Sequence, residues 1–371
     1  MRCDRAGEYV LPATGLVAPE GVTTRPSSGG FSGGHGWGDL GGRRGQDLFR
    51  KQRPEVLEGL RTVAVVESTE SSNRLEGISI PHHRLEKIVL HQTAPRNRSE
   101  QEIAGYRDAL NLIHESADDM PFTVGVIQQL HQQVFRYLPG SAGHWKMSDN
   151  EIVERHTDGS VRVRFRPVPA VATPHLMREF VEHFAKDQQD RTIDSLVLVP
   201  LAILDFLCIH PFTDGNGRVA RLITLLLLYR SGYEVGRYIS LERIFEDSKE
   251  SYYETLESSS QGWHEGAHDA HPWLDYFWGM LLRAHREFED RVGHVTTGRG
   301  AKTEQVRRAV RAKNLPFSIS ELERDCPGVS RELIRRVLRE MRDAGEIETQ
   351  GAGRGARWRP LAGKRPASPL G

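Results

Sequence analysis

The sequence predicts a mainly α-helical protein with one short β-hairpin and a second, smaller helical domain at its C-terminal end. From Pro54 to about residue 292, apolar residues recur at the spacing of one helix face. Between residues 151 and 167, Asp158-Gly159 separates two runs that contain β-branched residues, which predicts a hairpin. From residue 299 onwards, helical spacing resumes in a basic segment. These three features define the fold class.

Composition places the chain among globular proteins. It has 371 residues, 38% of them hydrophobic, and its 50 basic and 50 acidic residues cancel. This length allows two domains, and the neutral total gives no overall field that would attract nucleic acid or a membrane. The two most apolar stretches, Ser195–Leu204 and Leu222–Tyr229, are each too short to cross a bilayer. We therefore expect buried core helices and no membrane partner.

The cysteines indicate a reducing compartment. Cys3, Cys208 and Cys326 lie far apart and lack the spacing of metal ligands. The N-terminal residues do not show the basic region and apolar run of a secretion signal. We expect a cytoplasmic location.

Glycine and polar residues mark the domain boundaries. Glycine occupies twelve of the first 45 positions, so we predict that residues 1–45 form a disordered tail. The segment His294–Lys302 is short, polar and glycine-bearing, which is typical of a linker. We predict a helical domain at 46–295, a second domain at 300–360 and a disordered tail at 361–371.

The twelve residues from His210 to Arg221, HPFTDGNGRVAR, lie between two apolar helices. Gly215 and Gly217 can adopt backbone conformations closed to other residues, so that consecutive N–H groups converge on an anion at the start of the second helix. Arg218 and Arg221 lie three residues apart, and their guanidinium groups match phosphate oxygens. This arrangement predicts a site for a triphosphate.

The same window supplies a metal ligand and a base. Asp214 is a natural ligand for a Mg²⁺ ion that bridges phosphates, and His210 can take a proton near neutral pH. A single histidine or a single Gly-Asn-Gly turn is more often structural. A purely structural turn has no need of the whole set, so the combination favours an active site.

This window resembles the signature of the Fic family, H-x-F-x-[DE]-G-N-G-R-x-x-R, and matches it at every specified position. The resemblance implies a helical domain that binds ATP and Mg²⁺ and moves AMP onto a Ser, Thr or Tyr hydroxyl of a target protein, or of the chain itself. It also implies the site roles: base for His210, metal ligand for Asp214, phosphate contacts for Asn216 and Arg218, amide donors for Gly215 and Gly217, and a γ-phosphate contact for Arg221.

An upstream segment, Ser72-Asn-Arg-Leu-Glu76-Gly77, resembles the inhibitory motif [ST]-x-x-x-E-[GN] of Fic proteins. Spacing alone would favour a solvated helix end. The resemblance implies that Glu76 pairs with Arg221 and that the helix near 68–77 restrains the enzyme.

Three further segments resemble parts of Fic domains. The hairpin at Asn150–Phe165 resembles the flap that clamps a target segment, and the preceding Gly143–Lys146 resembles G-x-[WYF]-[RK]. Ser251–Leu256 resembles the adenine-lining segment, in which Tyr252 or Tyr253, but not both, would stack on the purine. We expect His131 and Trp145 to be packing residues.

The C-terminal segment has seventeen Lys/Arg against nine Asp/Glu from Arg299 to the end. Its predicted order, three helices and then two short strands, is that of a winged helix-turn-helix. Exposed arginines crowd the third helix and the wing: Arg331, Arg335, Arg336, Arg339, Arg354 and Arg357. Winged helices also serve in protein docking and dimerisation, so DNA and protein partners, including a homodimer, both stay open.

Two alternative functions also stay open. The chain could be a DNA-binding regulator whose Fic domain only senses a nucleotide. It could also transfer another phosphate-linked group, or remove AMP with Glu76 positioning a water molecule.

Overall fold

The computed structural model describes residues 52, 54–140, 142–155, 159–190, 193–293, 301–313, 316–351 and 357–361. The predicted disordered tail at 1–45, most of the linker, Asp158 and Arg354 lie outside the described residues, as does all but the first residue of the predicted tail at 361–371. The chain divides into two compact units. Within the described residues, the first contains 64–285, and the second contains 52, 54–63 and 286 onwards.

Helices dominate the described residues, which confirms the predicted mainly α-helical class. Up to residue 293 they are α1 Pro54–Leu75, α2 His82–Val89, α3 Arg98–Ser116, α4 Val124–Val134, α5 Thr173–Asp190, α6 Ser195–Ile209, α7 Asn216–Arg230, α8 Leu241–Asp247, α9 Lys249–Ser260 and α10 His271–Gly293. Helix α6 packs between α5 and α7, while α4 packs against α3 and α7.

Helix α6 forms the centre of the first unit and leads directly to the predicted base. The Asp194 side chain caps its start by accepting from the Leu196 N–H at 2.8 Å. Pro200 lies inside the helix and lacks an N–H, so the Leu196 carbonyl has no helical donor. The Trp278 indole supplies that donor at 2.7 Å. The helix therefore continues unbroken to Ile209.

The predicted hairpin is present as β1 Ile152–Arg155 and β2 Val161–Phe165. The strands pair antiparallel, with Val153 opposite Val163, and the register shifts by a bulge after Ile152. One face of β2 is exposed at Val161 and Val163.

The second unit has the predicted element order. It contains α11 Ala301–Arg311, α12 Ile319–Asp325, α13 Arg331–Asp343, β3 Ile347–Gln350 and β4 Arg357–Pro360. Ser330 caps α13 by accepting from the Leu333 N–H at 3.3 Å, and Phe317 and Trp358 join through a β-bridge. Side chains of α11 to α13 and both strands share one apolar core. The assignment of this second unit to the winged-helix class stays a prediction.

None of the helices among the described residues is long and apolar enough to span a bilayer.

Candidate active site

His210 occupies a strained corner between α6 and α7. Its backbone is left-handed, with φ 50° and ψ 61°, a conformation that costs free energy for a residue with a Cβ. Its Nδ1 lies 3.3 Å from the Leu207 carbonyl, which can only accept, so this nitrogen carries the proton. Burial lowers the pKa of His210 to about 4. The imidazole is therefore neutral near pH 7, with Nε2 able to accept a proton.

The loop that follows His210 is held by the amide of Asn216. Its Oδ1 accepts from the Phe212 N–H at 2.9 Å, and its Nδ2 donates to the Phe212 carbonyl at 2.8 Å. The side chain is buried. Asn216 thus closes the loop with both ends of its amide, whereas the Fic resemblance assigns it a phosphate contact.

His131 supports the loop from α4, in keeping with the packing role expected for it. Its ring stacks on Phe212 with centroids 3.9 Å apart. Its Nδ1 accepts from the Gly143 N–H at 2.8 Å, so that Nε2 carries the proton and donates to the Asp214 carbonyl at 3.1 Å.

Two glycines shape the start of α7. Gly215 caps the helix with φ 80°, and a Cβ added there would lie 2.6 Å from the Phe135 ring. A Cβ added to Gly217 would lie 2.4 Å from Oε1 of Glu76. The Glu76 carboxylate therefore lies against the first turn of α7, where the sequence predicts an anion site.

Arg221 is bound to the end of α1. Its Nη2 donates to Glu76 Oε1 at 2.7 Å and to the Ser72 carbonyl at 2.9 Å, and its Nε donates to Ser72 Oγ at 2.8 Å. Burial by itself would lower the pKa of Arg221, but the Glu76 carboxylate outweighs it and the pKa is raised. The pair expected from the Fic resemblance is thus present, with three hydrogen bonds that satisfy a buried guanidinium.

Arg218 is bound to a carboxylate that the sequence reasoning missed. Its Nη1 lies 2.6 Å from Oε2 of Glu102, and its guanidinium lies 4.8 Å from the centre of the Phe135 ring. Arg218 is 1% exposed. Its side chain is therefore held in a buried ion pair with Glu102, while its Nη2 lies 3.8 Å from Oδ2 of Asp214 in the loop. No motif marks Glu102, because the pair joins residues 116 positions apart.

Asp214 presents an open carboxylate. Its Oδ1 accepts from the Gly215 N–H at 2.6 Å, and 63% of its side chain is exposed. Among the described residues, no three acidic, histidine or cysteine side chains gather to hold a metal. Mg²⁺ commonly takes one or two protein carboxylates and completes its shell with phosphates and water, so Asp214 fits the single-ligand role predicted for it.

The two tyrosines of α9 differ in burial. Tyr252 is 3% exposed and packs against Phe245, Trp273 and Tyr276. Tyr253 is half-buried, and its hydroxyl lies 3.4 Å from the Leu75 carbonyl. Of the two, Tyr253 is the one whose ring a ligand beside the end of α1 could reach.

Helix α9 also holds the hairpin, through a residue that sequence reasoning did not single out. Glu257 accepts from Arg162 and from Nε of Arg164, the latter at 2.8 Å, and Arg164 also donates to the Tyr253 carbonyl at 3.2 Å. The strand β2 is thereby tied to the helix that bears the tyrosines.

Comparison with known proteins agrees with this geometry. Residues 121–228, which run from the residues just before α4 to the last turns of α7, match the model of the Fic/DOC family. The chain carries a Fic domain. The Fic signature loop therefore lies at the junction of α6 and α7, which both fall within the matched region except for the last two residues of α7.

Curated relatives of the Fic domain include two named protein adenylyltransferases. The chain is 37% identical over 70 residues to fic-1 of Caenorhabditis elegans, which is 19% of the chain and 14% of that protein. It is 28% identical over 134 residues to the Fic protein of Drosophila grimshawi, which is 36% of the chain and 26% of that protein. The matches thus span only 14% and 26% of the lengths of these two relatives.

Solved structures share the fold. A Fic domain-containing signaling protein from Bacteroides thetaiotaomicron superposes with a TM-score of 0.56 at 20% identity, covering 68% of this chain and 99% of that one. A Fic family protein from Desulfovibrio desulfuricans gives 0.52 at 22% identity, covering 87% of this chain and 91% of that one.

Proposed function

We propose that the Fic domain is a protein adenylyltransferase that transfers AMP from ATP to a Ser, Thr or Tyr hydroxyl of a target protein or of the chain itself, and that Glu76 inhibits it. The observation that carries the proposal is the position of Glu76, whose carboxylate binds Arg221 and lies against Gly217. An anionic group is thus already bound at the helix start where a phosphate would bind.

The chemistry follows from the neutral imidazole of His210. Its Nε2 takes the proton from the target hydroxyl, whose oxygen attacks the α-phosphorus of ATP. A new O–P bond forms, the bond to the β-phosphate bridging oxygen breaks, and pyrophosphate leaves. A Mg²⁺ ion held by Asp214 would neutralise charge that develops on the phosphates. The N-terminal amides of α7 orient the nucleotide.

Inhibition follows from competition for Arg221. While Glu76 occupies the guanidinium, a γ-phosphate cannot, and ATP binds in a pose in which the α-phosphorus does not face the target. Because Arg221 is buried, removal of Glu76 leaves its guanidinium without a carboxylate, and the triphosphate of ATP then takes the place of that carboxylate.

Nucleotide labelled at the α or the γ phosphate tests the proposal. We expect α-label on protein, an increase of at least about 10-fold in Glu76→Gly, equivalent to about 1.4 kcal/mol, and loss in His210→Ala. His175→Ala, a change at a partly exposed histidine of α5, is the matched control.

Each rival gives a different labelling result. Transfer of γ-label would show a phosphoryl transferase. Release of AMP from labelled protein that depends on Glu76 would show AMP removal. Absence of any label in both the wild type and Glu76→Gly would refute transfer and favour a nucleotide sensor. The proposal places the reaction in the cytoplasm, where ATP is available and Cys208 and Cys326 stay reduced.

A second function, DNA binding, is favoured by two arginines of α13. Arg335 and Arg339 are exposed one turn apart, and neither lies within 4 Å of a carboxylate among the described residues. By contrast, Arg307 pairs with Glu340 at 2.9 Å. We propose that Arg335 and Arg339 contact the phosphates of duplex DNA, as expected for the third helix of a winged helix.

Fluorescence anisotropy of the full chain with duplex DNA at several salt concentrations tests this second proposal. Arg335→Ala and Arg339→Ala should each weaken binding and reduce the salt slope by about 1, while Arg307→Ala should leave both near wild type. Absence of salt-dependent binding would refute it and favour docking of a protein or of a second copy, which sedimentation would detect as a dimer.

A further inference from the structure

Lys146 is a buried cation beside the catalytic loop that the proposed chemistry does not use. It is 2% exposed and lies between α4 and β1, in the segment that leads into the hairpin. Its Nζ donates to Asn150 Oδ1 at 2.9 Å and to the Ile209 carbonyl at 3.2 Å. Among the described residues, no carboxylate lies within 4 Å of its Nζ.

Lys146 donates hydrogen bonds to the carbonyl groups of the residues on either side of His210. Ile209 immediately precedes His210, and its carbonyl accepts from the ammonium group. Pro211 immediately follows His210, and its carbonyl accepts from the Lys146 main-chain N–H at 2.9 Å. One residue thus holds the peptide groups on both sides of the imidazole, at the point where His210 adopts its left-handed backbone.

A partner of Lys146 extends this hold to the next carbonyl. Asn150 receives the ammonium group at its Oδ1 and donates from Nδ2 to the Phe212 carbonyl at 3.3 Å. Residues of the segment 146–150 therefore bind the carbonyls of Ile209, Pro211 and Phe212 around His210. A left-handed non-glycine residue persists only where its surroundings impose it, and these hydrogen bonds are such surroundings.

The charge of Lys146 needs a separate reason, because a methionine or leucine could fill the same space without the cost of burying an ammonium group. The groups whose charges act on His210 are Lys146, Glu76 from the end of α1, and Asp214 from the loop. Lys146 is the cation among them. It opposes the two carboxylates, which favour a protonated imidazole.

We propose that Lys146 is a positioning residue for His210: it holds the carbonyl groups on both sides of the imidazole, and its buried charge acts together with burial to disfavour protonation of that imidazole. This inference rests on the proposed role of His210 as the base. Burial lowers the pKa of Lys146 to about 8, so that the ammonium group is charged at pH 7.

Nuclear magnetic resonance of histidine-labelled protein tests the charge directly and without activity. The His210 resonance is assigned by its loss in His210→Ala, and its pKa is followed in wild type, Lys146→Gln, Lys146→Met and Lys146→Arg. We expect the neutral variants to raise the pKa of His210 by roughly half a unit or more, and Lys146→Arg to keep the wild-type value. Lys186→Met, at an exposed lysine of α5, controls for a general change of charge.

Transfer kinetics in the Glu76→Gly background test the hold on the loop. We expect Lys146→Met to lower kcat by about 10-fold or more, with KM for ATP within about two-fold, because the base and not the nucleotide is displaced. The acid limb of the pH profile should move up with the pKa of His210. Lys146→Arg should recover most of the rate.

An unchanged His210 titration in folded Lys146→Gln would overturn the inference. Lys146→Gln keeps a donor and is the variant to rely on should Lys146→Met fail to fold, as judged by circular dichroism. If the pKa of His210 shifts as expected in a protein that transfers no label at all, the inference about the charge stands and the proposed transferase function fails.

Discussion

The carboxylate of Glu76 occupies the space in which a side chain at position 217 would begin. A Cβ on Gly217 would lie 2.4 Å from Oε1 of Glu76 and 3.3 Å from Nη1 of Arg221. Glycine at this position is thus required by the docked end of α1. The first turn of α7 can approach an anion only because residue 217 has no side chain.

A double-mutant cycle measures this relationship as stability. Gly217→Ala should destabilise the wild type by about 1–3 kcal/mol, because the added methyl group displaces Glu76. In the Glu76→Ala background the same change should be neutral or stabilising by up to about 1 kcal/mol, since alanine favours a helix. Urea denaturation of the four proteins gives the interaction free energy. Equal effects of Gly217→Ala in both backgrounds would contradict the geometry.

Removing the Glu102 carboxylate should lower the free energy of unfolding by more than removing an exposed charge. Glu102→Ala removes the nearest carboxylate of the Arg218 guanidinium, which is 1% exposed, and leaves it only the exposed Asp214 at 3.8 Å. We expect a loss of about 3–5 kcal/mol in the free energy of unfolding. The other partner of Glu102 is the exposed Arg98, so Arg98→Ala should cost less than about 1 kcal/mol. Similar midpoints in urea for the two variants would show that the buried pair is not important.

Asp205 should make stability depend on pH. This buried carboxyl accepts from the Trp263 indole at 2.7 Å, and burial raises its pKa to about 7. The folded state therefore holds a proton that the unfolded state releases above its ordinary pKa near 3.8. The stabilisation from Asp205 is complete below that value and is lost as pH rises towards 7.

Asp205→Asn keeps the acceptor for Trp263 and removes the titration. The variant should gain stability relative to wild type as pH rises from 5 to 8, at about 1.4 kcal/mol for each unit of pKa shift removed. Thermal melts at several pH values follow the difference. A difference between the two proteins that stays constant over this range would contradict the raised pKa.

Glu257→Gln should weaken binding of the protein target and leave binding of ATP unchanged. Its carboxylate joins Arg162 and Arg164 of β2 to α9, so Glu257→Gln weakens the attachment of the hairpin. If the hairpin holds the target, KM for the protein target should rise about 3-fold or more while kcat and ATP affinity change little. Glu254→Gln, an exposed position of the same helix, is the control. A loss of ATP affinity in Glu257→Gln would place its role at the nucleotide site instead.

Much of the helical framework could be predicted from sequence because it depends on local periodicity. The hairpin at 150–165 and the helices on either side of the signature loop lie where the apolar spacing and the Asp-Gly turn indicate. The contacts of Arg218 could not be predicted, because the signature specifies residue types and leaves open which carboxylate each of the two buried guanidinium groups meets. Arg218 faces Glu102 on α3, whereas Arg221, one turn later, faces the end of α1.

The sequence by itself determined the elements, the signature loop between two apolar helices, and the set of residues able to serve as base, metal ligand and anion site. Only the tertiary structure decided which contacts each of these residues makes. It placed Asn216 and Arg218 in hydrogen bonds within the site and the carboxylate of Glu76 against Gly217. It also placed Lys146 in hydrogen bonds with the carbonyl groups of the residues before and after His210. The physical reason is that helical spacing and turn chemistry act over a few residues, whereas burial of charge is resolved by partners distant in the chain.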